Sequence, residues 1–203
     1  MNDIMHIFTI LFLMLGPFKI IGPFAQITQA ADPVLTRNIA LRGFLYSTIA
    51  LLLAALIGEN ILSSYGIPIP ILAISGGIIL FLVALLNIIK QFEPPATKDQ
   101  NPEKPTMKMA IYPLAFPTIV TPYGIAAVIV FFALSPDLNT KLLVGAVVFG
   151  IMVLNLFFML INRFTYKYFA VVLPLLAAIL GVVQVALGLQ IIYKALTQLL
   201  KTT

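Results

Sequence analysis

Proline and glycine interrupt an apolar segment near the start of this chain. Residues 15–24 read Leu-Gly-Pro-Phe-Lys-Ile-Ile-Gly-Pro-Phe, inside a segment that runs from about residue 4 to residue 30. Each proline lacks a backbone donor and disfavours helical geometry at the residue before it. Lipid cannot hydrogen-bond the freed peptide groups, so such a break is tolerated only where the backbone is buried in protein or lines a polar cavity. The segment therefore predicts a broken helix whose free ends bind a solute.

A second interruption of the same kind lies about a hundred positions further on. Residues 117–124 read Pro-Thr-Ile-Val-Thr-Pro-Tyr-Gly within another apolar segment, residues 109–134. Two clusters at corresponding places favour a ligand site, and a purely structural kink is the alternative. The candidate substrate-binding residues are Gly16, Pro17, Lys19, Gly22, Pro23, Phe24, Pro117, Thr118, Thr121, Pro122, Tyr123 and Gly124.

Composition is typical of a polytopic membrane protein. Hydrophobic residues make up 61% of the 203 positions and charged residues only 9%, which differs from the balance of a soluble domain. At about 20 residues per span, this length accommodates about six transmembrane helices and short loops. The expected spans are residues 4–30, 39–62, 71–90, 109–134, 141–161 and 171–196, and residues 162–168 are expected to be an interfacial loop.

The two halves of the chain repeat the same order of features. Residues 1–90 and residues 109–203 each hold a span with a proline-glycine break, a plain span and a glycine-bearing span. Because the first half has an odd number of spans, the second half must enter the membrane from the opposite side. We predict an all-α polytopic membrane protein of six transmembrane helices, arranged as two inverted three-helix repeats with helices one and four broken.

The distribution of lysine and arginine predicts the orientation in the membrane. Positive residues concentrate on the cytoplasmic side. The loops after spans one, three and five carry Arg37, Arg42, Lys90, Lys98, Lys104, Lys108, Arg163 and Lys167, whereas the opposite side carries Lys141, Lys194 and Lys201. Residues 91–108 are therefore a cytoplasmic connector, and both termini lie outside.

Lys19 places an ammonium group inside the first span, where a charge is costly without acceptors or water. Two roles are open. Lys19 binds a substrate carboxylate or replaces a coupling cation, or it only pairs with carbonyl groups that the broken helix frees. Replacing it by methionine separates these roles, because only the first changes substrate affinity.

Other groups at the breaks fit a small zwitterionic solute. Helix N-termini beyond Pro23 and Pro122 would offer N–H groups and positive dipole ends to a carboxylate. Thr118 and Thr121 would add hydroxyl donors, and the aromatic rings of Phe24 and Tyr123 would limit the size of the cavity. The uncharged residues Gln26, Asn155 and Gln184 lie within spans, and they face the cavity or make the more common interhelical hydrogen bonds.

No pattern in the chain points to catalysis or to a cofactor. The sequence has one histidine and no cysteine, and its carboxylates lie at segment ends and in loops, so neither a nucleophile–base pair nor a metal cluster is indicated. The net charge of +5 comes from residues at segment ends and not from a basic patch interleaved with aromatic residues, so nucleic acid is not an expected partner. The expected surroundings are a lipid bilayer.

Several motifs resemble the MarC family of integral membrane proteins, also called the neutral amino acid transporter family. They are residues 65–70 (Tyr-Gly-Ile-Pro-Ile-Pro), 73–78 (Ala-Ile-Ser-Gly-Gly-Ile), 113–117 (Pro-Leu-Ala-Phe-Pro) with Thr121-Pro122, and residues 181–192. The resemblance implies six spans in the cytoplasmic membrane of a prokaryote. For the characterised transport members it also implies movement of small neutral amino acids such as glycine or alanine. The two broken spans of the inverted repeat suggest alternating access at a midplane site. Whether sodium or a proton is coupled to transport stays open.

The first break departs from the pattern of that family. Pro17 and Phe24 match the family pattern, but Gly16 stands where the family has Asp or Asn. Lys19 stands near the positions at which the family has Gly-Asn. These differences fall at the expected site and bear on substrate and ion coupling. A non-transporting membrane scaffold or assembly protein is the alternative function, with breaks that only permit close packing.

Overall fold

The regular secondary structure in both halves of the described chain is helical. The computed structural model describes residues 2–89, 104–135, 137–169 and 172–202, and no strand occurs among them. The α-helices are α1 (Asn2–Leu15), α2 (Phe18–Thr28), α3 (Pro33–Ser64), α4 (Ile69–Ile89), α5 (Pro122–Ala133), α6 (Leu138–Phe169) and α7 (Val172–Thr202). A 3-10 turn, Met107–Ala110, and an irregular π-type segment, Ile111–Ile119, precede α5. Most of the expected connector, residues 90–103, lies outside the described residues.

Five helical stretches are long and apolar enough to cross a membrane. They are Ile7–Thr28, Pro33–Ser64, Ile69–Ile89, Leu138–Asn162 and Ala178–Lys201. A sixth span results if Met107–Ile119 and Pro122–Ala133 count together, although the two parts meet at 64°. The described residues are therefore those of an all-helical membrane protein with five or six spans, located where the apolar segments predict them.

Helix α3 begins earlier than the expected residue 39. Asp32 is its N-cap, and the carboxylate Oδ1 accepts a hydrogen bond from the Leu35 backbone N at 2.6 Å. Pro33 occupies the first helical position, where the missing N–H has no intrahelical partner in any case. An Asp-Pro pair is a common turn signal, but here Asp32-Pro33 starts the helix directly.

Helix α6 is longer at both ends than the apolar segment from which it was predicted. It begins at Leu138, after Asp137, whose carboxylate accepts hydrogen bonds from the Thr140 backbone N and hydroxyl that lower the pKa of Asp137. The expected interfacial loop at residues 162–168 is wrong, because α6 continues to Phe169. That stretch contains neither glycine nor proline, and polarity alone does not end a helix that can extend past the bilayer.

Glycine residues bring α4 and α7 into close contact. A Cβ atom added at Gly188 would lie 2.9 Å from the Gly77 carbonyl oxygen and 2.9 Å from the Phe81 backbone N. A Cβ added at Gly76 would lie 2.8 Å from the Ala126 Cβ atom on α5. The glycines of span three thus permit close helix approach, which accounts for the packing of α4 between α5 and α7.

Both proline-containing segments contribute buried residues to the core of this arrangement. Helix α2 packs against α6 and the π-type segment, and α3 packs against α5 and α6. Leu11, Met14 and Leu15 from the end of α1 are buried together with Ile119 and Tyr123 from the second segment. The two interruptions are therefore close to each other and shielded by the longer helices.

Candidate functional site

The first interruption is short. Helix α1 ends at Leu15, Pro17 is the N-cap of α2, and the Gly16 backbone N donates to the Phe12 carbonyl oxygen at 2.8 Å. The two helices together count as one span, Ile7–Thr28. Pro23 lies inside α2, so the expected helix N-terminus beyond Pro23 is wrong. A single proline removes only one intrahelical donor, and neighbouring helices in a membrane protein can compensate for that loss.

Amide side chains from the second half bind the carbonyl groups of this first interruption. Gln184 Nε2 donates to the Leu13 carbonyl oxygen at 2.8 Å, at the position whose α-helical donor would be the N–H that Pro17 lacks. Asn155 Nδ2 donates to the Leu15 carbonyl oxygen at 2.8 Å, and Asn162 Nδ2 to the Ile21 carbonyl oxygen at 3.1 Å. Asn155 and Gln184 thus make interhelical hydrogen bonds, whereas Gln26 is exposed.

The second interruption is a larger departure from helical geometry. The π-type segment is extended at Tyr112 and Phe116, and α5 begins at Pro122 after the 64° bend. Thr121 is the N-cap of α5, and its Oγ1 accepts a hydrogen bond from the Gly124 backbone N at 3.2 Å. A helix N-terminus therefore lies at Pro122, as expected, but the Gly124 N–H is already bound within the chain.

Lys19 joins the two interruptions. Its Nζ donates to the Ile119 carbonyl oxygen at 3.3 Å and lies 5.4 Å from the centroid of the Tyr123 ring. The ammonium group is only partly buried, and within the described part of the chain no carboxylate lies at ion-pair distance from it. Gly124 is also close to the first interruption, since a Cβ added there would lie 2.6 Å from Leu15 Cδ2.

The other candidate residues differ in their accessibility. Gly16 and Pro17 are buried, and Thr118 is partly buried. Phe24 is fully buried in the hydrophobic core, and it does not line the cavity described below. Pro117 and Pro122 are exposed, and open space surrounds a Cβ added at Gly22. Lys19, Thr121, Tyr123 and Gly124 are the candidates that the fold gathers at the junction of the two interruptions.

An apolar cavity of about 70 Å³ lies beside the junction, between α1, α4, α5 and α7. Tyr123 forms one wall, and Met14, Gly76, Ala126, Ala127 and Phe131 are among the other lining residues. One water molecule needs only about 10–15 Å³ of cavity volume, so this cavity has room for a small aliphatic group.

One ion pair connects the two halves of the chain at a distance from this junction. Lys141 Nζ, on α6, lies 2.6 Å from Glu59 Oε1 and 2.8 Å from Glu59 Oε2, on α3. The sequence does not predict this pair, because no local pattern relates residues that are 82 positions apart. Asn162 was also missed, since its polarity suggested a loop.

Known proteins resemble this chain along most of its length. A family model described as MarC family integral membrane protein matches residues 1–200. The chain is 31% identical over 138 residues to a UPF0056 membrane protein of Methanocaldococcus jannaschii, across 68% of this chain and 67% of that protein. It is 26% identical to a UPF0056 membrane protein of Archaeoglobus fulgidus, across 94% and 91% of the two chains.

A third relative comes from Escherichia coli strain K12. The UPF0056 inner membrane protein YhgN is 30% identical over 122 residues, which cover 60% of each chain. No solved structure matches. The apolar helices and these prokaryotic relatives together support a location in a prokaryotic membrane. Because the family model covers nearly the whole sequence, the chain belongs to the MarC family of integral membrane proteins.

Proposed function

We propose that this protein is a secondary transporter of small neutral amino acids, in which Lys19 binds the substrate carboxylate. The observation that carries the proposal is that Lys19 Nζ has a single hydrogen-bond partner among the residues that the structure describes. An ammonium group has three donors, and the Ile119 carbonyl oxygen, at 3.3 Å, takes one of them. A carboxylate at the remaining donors would neutralise a charge that is costly at this depth of a membrane.

The second interruption supplies complementary acceptors for the amino group of such a substrate. Pro122 has no N–H, so the Thr118 carbonyl oxygen lacks its α-helical donor. The face of the Tyr123 ring, already 5.4 Å from the Lys19 ammonium, attracts cations. A zwitterion could thus place its carboxylate on the Lys19 ammonium and its own ammonium toward the Thr118 carbonyl oxygen. Each of these two protein groups would then have a partner of opposite charge or polarity.

Reciprocal contacts support an inverted repeat, the arrangement that alternating access needs. A Cβ added at Gly77 would lie 2.9 Å from Ile192 Cγ1, and one added at Gly181 would lie 3.0 Å from Ile88 Cγ1. The same spacing in the sequence separates Gly77 from Gly181 and Ile88 from Ile192. Contacts that exchange partners in this way are typical of a two-fold relation between halves.

The junction itself is consistent with that relation. Pro17 and Pro117, the corresponding prolines of the two halves, are 100 positions apart. Lys19 contacts Ile119, which is its own counterpart at the same interval. Residues that contact their own counterparts lie near a two-fold axis. We propose that broken helices one and four meet at this axis, near midplane, and that the two halves rock about it.

The alternative function, a non-transporting scaffold, rests on a separate observation. Gln184, Asn155 and Asn162 bind the carbonyl groups of the first interruption, which leaves those groups unavailable to a solute. If the second interruption is likewise only a packing device, the protein needs no substrate. Transport as proposed requires Lys19 to bind a substrate, whereas a scaffold requires only that Lys19 bind the Ile119 carbonyl group.

Counterflow of labelled glycine and alanine in proteoliposomes tests the proposal. The wild type should exchange label, and Lys19→Met should lose about 10- to 100-fold in affinity, because hydrogen bonds to charged groups contribute about 1.5–3 kcal/mol. Lys194→Met is the matched control, since Lys194 is an exposed lysine near the other end of the chain. Runs with and without a sodium or pH gradient identify the coupling ion.

Absence of counterflow for every small neutral amino acid, with a protein that unfolds cooperatively in detergent, would favour the scaffold. Unchanged affinity in a folded Lys19→Met variant would instead keep transport and remove Lys19 from the binding site. In that case the lysine only secures the Ile119 carbonyl group.

A further inference from the structure

The apolar cavity and the Lys19 contact share one residue, Tyr123. Its side chain is buried at the boundary between them, with its ring 5.4 Å from Lys19 Nζ and part of its surface in the cavity wall. We infer that this cavity is the side-chain pocket of the transported amino acid and that it selects aliphatic side chains. This inference rests on the proposed function, and it extends the expected substrates beyond glycine and alanine.

Distances are compatible with a single ligand that occupies both places. A carboxylate oxygen that accepts from Nζ at about 2.8 Å puts the substrate Cα about 4–5 Å from that nitrogen. The Cβ atom is then about as far from Nζ as the Tyr123 ring is. Because the Tyr123 ring also lines the cavity, a substrate side chain directed past that ring would point toward the cavity.

The chemistry of the walls excludes polar side chains. Apart from the Tyr123 side chain, the cavity is lined by apolar side chains and by glycines, such as Met14, Ala126, Ala127 and Gly76. An uncharged polar group buried there without a partner would lose its hydrogen bonds to water, and a charged group would lose more. Serine, asparagine and charged amino acids should therefore bind more weakly than aliphatic ones.

Its dimensions set an upper limit on the side chain. The cavity measures about 70 Å³, which accommodates a group of about three or four carbon atoms. Gly76 and Ala126 approach so closely that a Cβ on Gly76 would lie 2.8 Å from the Ala126 Cβ, so these two residues leave no further space between them on this side of the cavity. Valine and leucine should fit, whereas the rings of phenylalanine and tryptophan should not.

Ligand-dependent thermal stabilisation in detergent measures this selectivity, because a ligand that binds only the folded state raises its stability with concentration. In the wild type, affinity should rise from glycine to alanine to valine by about three- to fivefold for each added carbon. Equal affinity for all three, or loss of binding at valine, would overturn the inference while leaving the transporter intact. Failure of every amino acid to stabilise the protein would overturn the proposed function as well.

Two variants with opposite effects on cavity size localise the pocket. Ala127→Leu fills the cavity, so it should weaken valine binding about 10- to 100-fold and leave glycine binding nearly unchanged. Val130→Ala, also in the wall, enlarges the cavity and should improve leucine binding relative to alanine. Ala133→Leu is the control, on the same helix and also partly buried but outside the cavity wall.

A lipid acyl chain is the competing occupant of an apolar cavity. If lipid fills it, Ala127→Leu and Val130→Ala should change the affinities for glycine, valine and leucine by equal factors or not at all. That result would overturn the assignment. A lower ratio of valine to glycine affinity in Ala127→Leu, and a higher ratio in Val130→Ala, would support it. If one variant is too unstable to purify, the expected direction in the other variant is the test.

Discussion

At the scale of single residues, the side-chain amide of Gln184 replaces a backbone donor that a proline lacks. Gln184 supplies the Leu13 carbonyl oxygen with a donor at 2.8 Å, where Pro17 has none. Asn155 is almost fully buried and binds the Leu15 carbonyl oxygen, but its own Oδ1 has no partner. These residues act on the first interruption from helices that are far away in the sequence.

Gln184→Leu should destabilise the protein by about 0.5–2 kcal/mol. The substitution keeps the apolar bulk and leaves the Leu13 carbonyl group without its donor, and interhelical hydrogen bonds in membranes contribute energies of this size. Thermal unfolding in detergent, followed by circular dichroism, gives the change. The control is Gln26→Leu, at an exposed amide on α2, and a loss as large in that variant would argue against the Gln184 contact.

Lys19 and Asn162 mark the limits of prediction at this scale. The position of Lys19 inside an apolar segment is sufficient to identify it as unusual, and the pairing with a freed carbonyl group was one of its two predicted roles. Asn162 has no such signal, because it lies at the end of an apolar run and its partner, the Ile21 carbonyl oxygen, is 141 positions away.

At the scale of elements, the two proline-containing spans differ in shape although their sequences correspond. The first continues as Ile7–Thr28, and the second bends by 64°. Three side-chain amides bind carbonyl groups of the first span, whereas in the second Thr121 caps a new helix at Pro122. The neighbours of a proline, rather than the proline alone, therefore decide whether a span bends.

The contact between α4 and α7 depends on glycine at defined positions. Gly188→Ala should cost about 1–3 kcal/mol, because the new Cβ would meet the Gly77 carbonyl oxygen and the Phe81 backbone N, both at 2.9 Å, and backbone atoms cannot move aside cheaply. The unfolding midpoint in detergent measures the loss.

Gly150→Ala provides the comparison for that prediction. It makes the same chemical change within α6, where no atom lies within 4 Å of the added Cβ. Alanine is the better helix former, so this variant should be neutral or slightly stabilised. Similar losses in both variants would contradict the packing explanation.

At the scale of the whole molecule, the ion pair between Glu59 and Lys141 links the two halves outside the junction. Both side chains are partly exposed, at 34% and 28%, so solvent screens the attraction. A double-mutant cycle with Glu59→Gln and Lys141→Met should give a coupling energy of about 0.2–1 kcal/mol that falls at high salt. A coupling energy of zero at low salt would mean that the pair does not hold the halves together.

Orientation in the membrane is testable because the natural chain contains no cysteine. If both termini lie outside, as the distribution of lysine and arginine predicts, a membrane-impermeant maleimide should label Thr202→Cys in intact cells. Thr97→Cys, in the part of the connector outside the described residues, should react only after the cells are permeabilised. The reverse pattern would mean that the excess of lysine and arginine does not predict the orientation of this chain.

The sequence by itself determined the class of protein, the approximate positions of the spans, the family and the residues at which helices are interrupted. The family followed from the resemblance of its motifs. The other features follow from local composition, because apolar length and the missing donor of proline act within one segment. Only the tertiary structure decided that Pro23 continues a helix, that Phe24 is buried in the core, and that Lys19 reaches the Ile119 carbonyl group. A freed carbonyl group in a membrane must find a donor, and the folded arrangement of the helices determines which side chain supplies it.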